Sequence, residues 1–259
     1  LQSMVEYIDT HAHNSDEAFA ECEDEIISKS IEAGVSMILQ PDIASTERER
    51  MFRLVEKHPG RLRPMLGLYP GSVNAAWKDE IDAMMPFRDK GIVAIGEIGL
   101  DYHEGKEYRK EQMEALRTQL ELASEWDLPV NIHLRDATDD FFSLLEDCRH
   151  LHLRGSMHAF SGSYETFCRL QKLGDWYVGI GGVVTFRKAQ IGEDIARIPL
   201  DRIVLETDAP YLSPTPFRGT RNDSSRIPII GRFIAERKGV TEEEVARTTT
   251  YNAKQLFAL

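Results

Sequence analysis

Paired thiols are missing from this 259-residue chain: Cys22, Cys148 and Cys168 are scattered without a shared spacing. That excludes a disulfide framework and suits reduced packing residues in a cytoplasmic protein. No run approaches the ~18 apolar residues that a membrane span requires, and no basic, then apolar, then small-residue signal opens the chain. A cytoplasmic protein without membrane contact is therefore expected, and no segment marks an obligate protein partner. Positive charge is also in deficit, with 31 Lys and Arg against 43 Asp and Glu and a formal net charge of −12. Since phosphate neutralisation supplies much of the affinity for duplex DNA, a long groove tracking a duplex is disfavoured. Repeats and low-complexity segments are absent. Gly179-Ile-Gly-Gly182 lacks the full dinucleotide-binding pattern and is expected to allow close approach of backbone to ligand.

What is present is an unbroken alternation of short β-branched runs with longer helical patterns. Strands are expected at Val5 to Asp9, Ser36 to Gln40, Leu62 to Leu68, Ile92 to Gly96, Pro129 to His133, Gly155 to His158, Trp176 to Ile180 and Ile203 to Glu206. Between them lie helical stretches such as Glu107 to Trp126, where Met113, Leu116, Leu120 and Ala123 recur at the spacing of one buried stripe. Alternation of this kind builds a parallel sheet. Eight units, and a length near the ~250 residues typical of the fold, favour a single-domain (β/α)8 TIM barrel; an open doubly wound sheet fits the pattern less well. Leu1-Gln-Ser before Met4 reads as a cloning scar, leaving residues 4–259 as the domain. Helices Ile227 to Lys238 and Glu242 to Phe257 are expected to complete the outer wall, and the polar stretch Pro210 to Pro228 to roof the mouth.

The chemistry gathers at strand ends. His11 and His13 follow the first strand, and residues two apart on a strand share a face, so Asp9, His11 and His13 can point into one cavity. Glu97 follows the fourth strand, His133 and His158 end the fifth and sixth, and Asp208 closes the eighth. His58, His103, His150 and His152 fall at helix ends or in loops and read as surface residues. A barrel places its chemistry at the C-terminal ends of its strands, and five such ends carry the six ligands His11, His13, Glu97, His133, His158 and Asp208. A set of nitrogen and oxygen donors without thiolate suits hard or borderline divalent ions. So many donors exceed the needs of one tetrahedral ion, and two ions bridged by Glu97 are the natural reading.

Ordered along the chain, the blocks Asp9-Thr-His-Ala-His13, Gly96-Glu-Ile-Gly-Leu-Asp101, Leu128-Pro-Val-Asn-Ile-His133, Arg135-Asp-Ala, His158-Ala-Phe-Ser-Gly162, Glu206-Thr-Asp-Ala-Pro-Tyr-Leu212 and Asn252-Ala-Lys-Gln-Leu-Phe257 resemble the TatD-type metal-dependent deoxyribonucleases of the amidohydrolase-like barrel superfamily. The resemblance implies one ion held by His11, His13, Glu97 and Asp208, and a second by Glu97, His133 and His158. Mg²⁺ or Mn²⁺ is the expected functional ion, with Zn²⁺ as an alternative bound species. Two ions roughly 3.5–4 Å apart would activate water and clamp an in-line displacement, with Asp208 as general base.

The chain departs from the family where Gly67-Leu-Tyr-Pro70 replaces Gly-x-His-Pro. Tyr69 stands in place of a histidine expected to touch phosphate, and a phenol carries no positive charge near neutral pH. A smaller departure is Arg221-Asn-Asp-Ser-Ser, where many relatives have Arg-Asn-Glu-Pro and Asp223 has the shorter reach. Arg135 is the expected phosphate clamp, against a rival ion pair with Asp136 or Glu206. Ser161 opens a Ser-Gly-Ser turn whose backbone N–H groups could receive phosphate or form an ordinary N-cap. Arg187, Lys188, Arg218, Arg221 and Arg226 are expected around the mouth, favouring weak contact with DNA ends, single strands or abasic sites. Rival readings are a hydrolase of a small amide, lactone or phosphoester on the same barrel, and a binding protein with lapsed chemistry.

Overall fold

A computed structural model describes residues 5–259; the expected cloning scar lies outside the described residues. Eight parallel strands alternate with helices among them. The strands are β1 (Tyr7–Asp9), β2 (Val35–Gln40), β3 (Leu62–Pro64), β4 (Ile95–Asp101), β5 (Val130–Arg135), β6 (Arg154–Met157), β7 (Asp175–Ile180) and β8 (Ile203–Leu205). Their ladders run β1-β2-β3 and β4-β5-β6-β7-β8. Backbone hydrogen bonds close both seams: Leu66 N–H donates to Ala94 O at 3.1 Å, Gly96 N–H to Leu66 O at 3.0 Å, and Thr10 N–H to Leu205 O at 3.0 Å. The sheet is thus a closed barrel, which removes the open-sheet alternative.

Two strands differ from the sequence expectation in a way that matters for function. The fourth runs Ile95–Asp101 instead of ending at Gly96, and the fifth extends to Arg135. Glu97 therefore lies within its strand instead of after it, and His133 is no longer the last residue of its own. Every residue of β4 is buried, as expected of a parallel strand covered on both faces. Its close approach to β5 depends on Gly99, which has φ +149° and whose missing Cβ would stand 1.8 Å from the His133 carbonyl oxygen. Any side chain there would push β4 from β5 and separate Glu97 from His133.

The outer layer comprises α1 (Glu23–Glu32), α2 (Ser45–Lys57), α3 (Trp77–Met84), α4 (Arg109–Glu125), α5 (Thr138–Asp147), α6 (Tyr164–Gln171), α7 (Ile191–Asp194), α8 (Ile227–Lys238) and α9 (Glu242–Phe257). In α4, Leu116, Leu120 and Ala123 are buried as their spacing predicts, while Met113 is only half-buried. Two glutamines share that inner face. Gln112 accepts the Asp101 N–H at 2.8 Å and donates to Asp101 O and Gly105 O, and Gln119 accepts the Leu68 N–H at 2.7 Å. Both fasten loops at the barrel mouth, satisfying backbone groups that burial would otherwise orphan. The roof stretch has no regular structure until the turn Ser224–Arg226, and Pro228 lies in the first turn of α8, where proline needs no N–H partner.

Beyond β2, the fully buried Asp42 accepts Arg48 Nε at 2.7 Å and the N–H groups of Gly67 and Ile43. This ties the second loop to the third. Asp42→Ala would strand a buried guanidinium, and such losses cost about 3–5 kcal/mol. Urea unfolding should show a drop of that size; a change under about 1 kcal/mol would mean that Arg48 is not held by this pair.

Candidate metal centre

All six expected ligands meet at the C-terminal mouth of the barrel. Glu97 divides its carboxylate between two groups of imidazoles. Its Oε1 faces His11 Nε2 at 3.2 Å and His13 Nε2 at 3.6 Å, whereas Oε2 faces His133 Nδ1 at 3.1 Å and His158 Nε2 at 3.9 Å. Asp208 Oδ1 closes the first group, 3.4 Å from both His11 and His13 Nε2 and 3.8 Å from His158 Nε2. Asp208 has φ 57°, a left-handed conformation that aspartate tolerates, and its N–H is fixed on His11 O at 2.8 Å.

Three of the imidazoles are oriented from behind. His11 Nδ1 meets Asn131 Oδ1 at 2.7 Å while Asn131 Nδ2 donates to Ser156 Oγ, which makes Oδ1 the acceptor and places the proton on Nδ1. His133 Nε2 meets Asp101 Oδ2 at 2.8 Å, and His158 Nδ1 lies 2.9 Å from Glu206 Oε1. In each ring the nitrogen turned toward the cluster is thereby left free for a cation, the usual arrangement behind a metal-binding histidine. No orienting role for Asn131, Asp101 or Glu206 is read from the sequence. Asn131 and Glu206 precede His133 and Asp208 by two, so the period-2 rule that grouped His11 with His13 would have found them.

Electrostatics and donor chemistry both fit a divalent cation. His11 Nε2 is fully buried with no hydrogen-bond partner among the described residues. Burial would lower the His11 pKa, but the charges of Glu97 and Asp208 outweigh it and hold the ring well above its ordinary value. His133 is likewise raised to about 9, its hydrogen bonds to Asp101 and Glu97 overcoming burial. Burial would raise Glu97 and Asp208, yet the imidazoles hold both carboxyls low: His11 dominates for Glu97, and His158 and His11 act on Asp208. Such a cluster attracts positive charge. Three overlapping sets, His11–His13–Glu97, His11–His158–Asp208 and Glu97–His133–His158, bring their donor atoms within 4.8 Å of one another and could each hold an ion. None contains sulfur, which suits hard or borderline ions.

Asp9 departs from expectation: it does not join the cluster. Its Oδ1 accepts the N–H groups of His11 and Thr207, both at 3.1 Å, and its Oδ2 accepts the hydroxyls of Thr207 at 2.5 Å and Ser224 at 2.7 Å. Fully buried, it ties the strand bearing the histidine pair to the loop bearing Asp208. In the Gly179-Ile-Gly-Gly182 stretch the missing side chains make room for the protein itself: a Cβ at Gly179 would stand 2.5 Å from Glu206 Oε2 and one at Gly182 2.2 Å from Leu212 O.

The candidate substrate residues separate into two kinds. Tyr69 and Arg135 border the centre. The Tyr69 ring meets the His133 ring edge-on at 5.1 Å; Arg135 is exposed at the end of β5 and, among the described residues, pairs with neither Asp136 nor Glu206. Ser161 is exposed, but the N-terminus of α6 is already filled: Ser163 caps it through the Thr166 N–H, and Asp194 accepts the Tyr164 N–H at 3.3 Å. Ser163 is thus an ordinary N-cap. Arg221 donates to Ala18 O at 3.0 Å and lies over Phe19; Arg218 stacks on Phe186 and Arg226 on Phe217. These three fasten the roof, yet Arg218 and Arg221 stay exposed, as do Arg187 and Lys188, so that four of the expected five cations reach solvent and Arg226 is half-buried. Asp223 accepts Lys29 Nζ at 3.0 Å.

The orienting role of Asp101 is testable. Asp101→Asn keeps an acceptor for the His103 and Glu104 N–H groups but removes the charge behind His133, so divalent-ion affinity should weaken about 10–100-fold in competition with a chelating dye. Unchanged affinity would assign Asp101 to the turn alone.

Residues 8–258 match the family model described as TatD related DNase. The chain is 36% identical to the uncharacterized metal-dependent hydrolase YabD of Bacillus subtilis (strain 168), over 97% of this chain and 98% of the relative. It is 32% identical to the uncharacterized metal-dependent hydrolase YjjV of Escherichia coli (strain K12), over 98% of each. The crystal structure of YjjV, a TatD homologue from E. coli K12, superposes with a TM-score of 0.90 at 28% identity, covering 99% of this chain and 100% of that one. A TatD family hydrolase from Entamoeba histolytica, at 22% identity and TM-score 0.87, shares the fold over 98% of this chain and 99% of its own. The chain belongs to the TatD-related DNase family of metal-dependent hydrolases.

Proposed function

We propose that this protein hydrolyses phosphodiester bonds in DNA, at strand ends or abasic sites, with two divalent ions that the residues around Glu97 would hold. The observation that carries the reading is the division of that carboxylate, Oε1 toward His11 and His13 and Oε2 toward His133 and His158. His11, His13, Glu97 and Asp208 would hold one ion, and Glu97, His133 and His158 the other. Mg²⁺ or Mn²⁺ suits these donors best, with Zn²⁺ compatible. Bound there, such ions supply an acidified water and neutralise charge on the phosphoryl oxygens.

The chain's own groups do the rest. Asp208, ionised through its imidazole neighbours, accepts the proton of the attacking water. Asn131, Asp101 and Glu206 keep three rings from rotating, so the geometry is set before substrate arrives. Arg135, exposed and without an ion pair among the described residues, offers a planar fork to two phosphate oxygens. Tyr69 adds a phenol, not a cation, beside His133, which makes phosphate binding weaker than a histidine there would give. Arg187 and Lys188 at the rim suit weak contact with a strand end or single strand, in keeping with the overall charge.

A 3′-labelled single-stranded oligonucleotide tests this directly. Cleavage should stop in excess chelator and return with Mg²⁺ or Mn²⁺. Asp208→Asn, which keeps a coordinating oxygen but is a far poorer base, should turn over about 10²-fold more slowly at saturating metal. Metal-loaded protein that leaves every DNA substrate intact would overturn the reading, and an undiminished Asp208→Asn rate would move the base elsewhere.

A further inference from the structure

The turn after β4 carries a carboxylate that the reaction does not use. Glu104 is exposed, its N–H donates to Asp101 Oδ1 at 2.8 Å, and its Oε2 accepts the Tyr69 hydroxyl at 3.1 Å. Gln112 clamps the turn by donating to Asp101 O at 3.0 Å and Gly105 O at 2.9 Å. Tyr69 is fixed as well, its N–H on Ile43 O at 2.9 Å and its ring edge-on to His133. The pair needs glycine at position 71, where a Cβ would stand 2.5 Å from the Tyr69 ring and 2.9 Å from Glu104 Oε2.

The charge of Glu104 has no ion-pair partner, although Lys106 lines the same cleft. Among the described residues no salt bridge reaches it, and the neighbouring His103 faces Asp136 at 3.7 Å. Beyond the pair, a cleft of ≈ 640 Å³ opens between Gly71–Asn74 and Glu104–Tyr108. Tyr69 thus links the two: its ring meets His133 of the centre, and its hydroxyl meets Glu104, which lines the cleft. A histidine at position 69 could offer positive charge there. This chain offers a neutral donor already committed to an anion.

Resting on the phosphodiesterase reading, we propose that Glu104, held against the His133 side of the centre by Tyr69, selects singly charged phosphodiesters over doubly charged phosphomonoesters. A monoester carries about −1.5 to −2 at pH 7, a diester −1. The extra charge meets a fixed carboxylate, and like charges at this range repel even in partly solvated surroundings. The substrate is thus an internal or hydroxyl-terminated linkage, and a terminal phosphate is disfavoured on this side.

Calorimetric titration of Mn²⁺-loaded protein with dimethyl phosphate and with phenyl phosphate reads the preference without turnover. The wild type should bind the monoester no more tightly than the diester. Glu104→Gln should tighten the monoester about fivefold and the diester less than about twofold, with an unchanged thermal midpoint confirming the fold. Tyr69→Phe, which frees the carboxylate, should give part of the same relaxation. Equal shifts for both ligands in Glu104→Gln, or a wild type that binds the monoester about tenfold more tightly, would overturn the proposal. Matched oligonucleotides ending in phosphate or hydroxyl separate the two readings: if neither is cut but the binding preference holds, the phosphodiesterase reading fails and the charge filter stands.

Discussion

A carboxylate buried at the centre of four imidazoles is the constraint around which the barrel mouth is arranged. Burying an unpaired carboxylate is prohibitive, and Glu97 is 3% exposed. It is tolerated because His11, His13, His133 and His158 surround both of its oxygens, and because each half of the cluster can accept a cation. Gly99 then sets how closely β4 meets β5, and the seam hydrogen bonds from Leu66 to Ala94 and from Gly96 to Leu66 fix β4 against the third strand. Displacing β4 would open both halves of the cluster at once, since the same side chain serves each.

Around this centre the protein spends polar residues to hold polar residues. Asp9 braces the loop that carries Asp208, Asn131 sets the His11 tautomer, and Gln112 and Gln119 satisfy the backbone of two mouth loops from the helix outside. Each is buried, and each satisfies groups whose exposure to an apolar interior would otherwise be costly. The roof is held by arginine stacking on phenylalanine, so most of its positive charge serves packing and hydrogen bonding before it serves any ligand.

The strand-end histidines and the eight-fold alternation were readable because both are local patterns: a ligand type recurring at the end of a β-branched run. The limits of β4 were not, since Glu97 and Asp101 are polar yet wholly interior, and a polar residue normally signals the end of a buried strand. For the same reason Gln112 and Gln119 break the apolar stripe of α4 while facing inward. Asp9 was misplaced because period 2 gives the face of a residue but not its partner, and Thr207 and Ser224 lie about two hundred residues away. The Tyr69–Glu104 contact spans 35 residues and has no sequence signature beyond the unusual tyrosine. Position 69 stood out, but the acid that gives it meaning emerged only once the third and fourth loops were brought together.

The most direct test of the account is anomalous diffraction from crystals soaked in Mn²⁺. Two peaks are predicted, one against Glu97 Oε1 with His11, His13 and Asp208, the other against Glu97 Oε2 with His133 and His158. A single peak at full occupancy, or two peaks that share no Glu97 carboxylate, would contradict it.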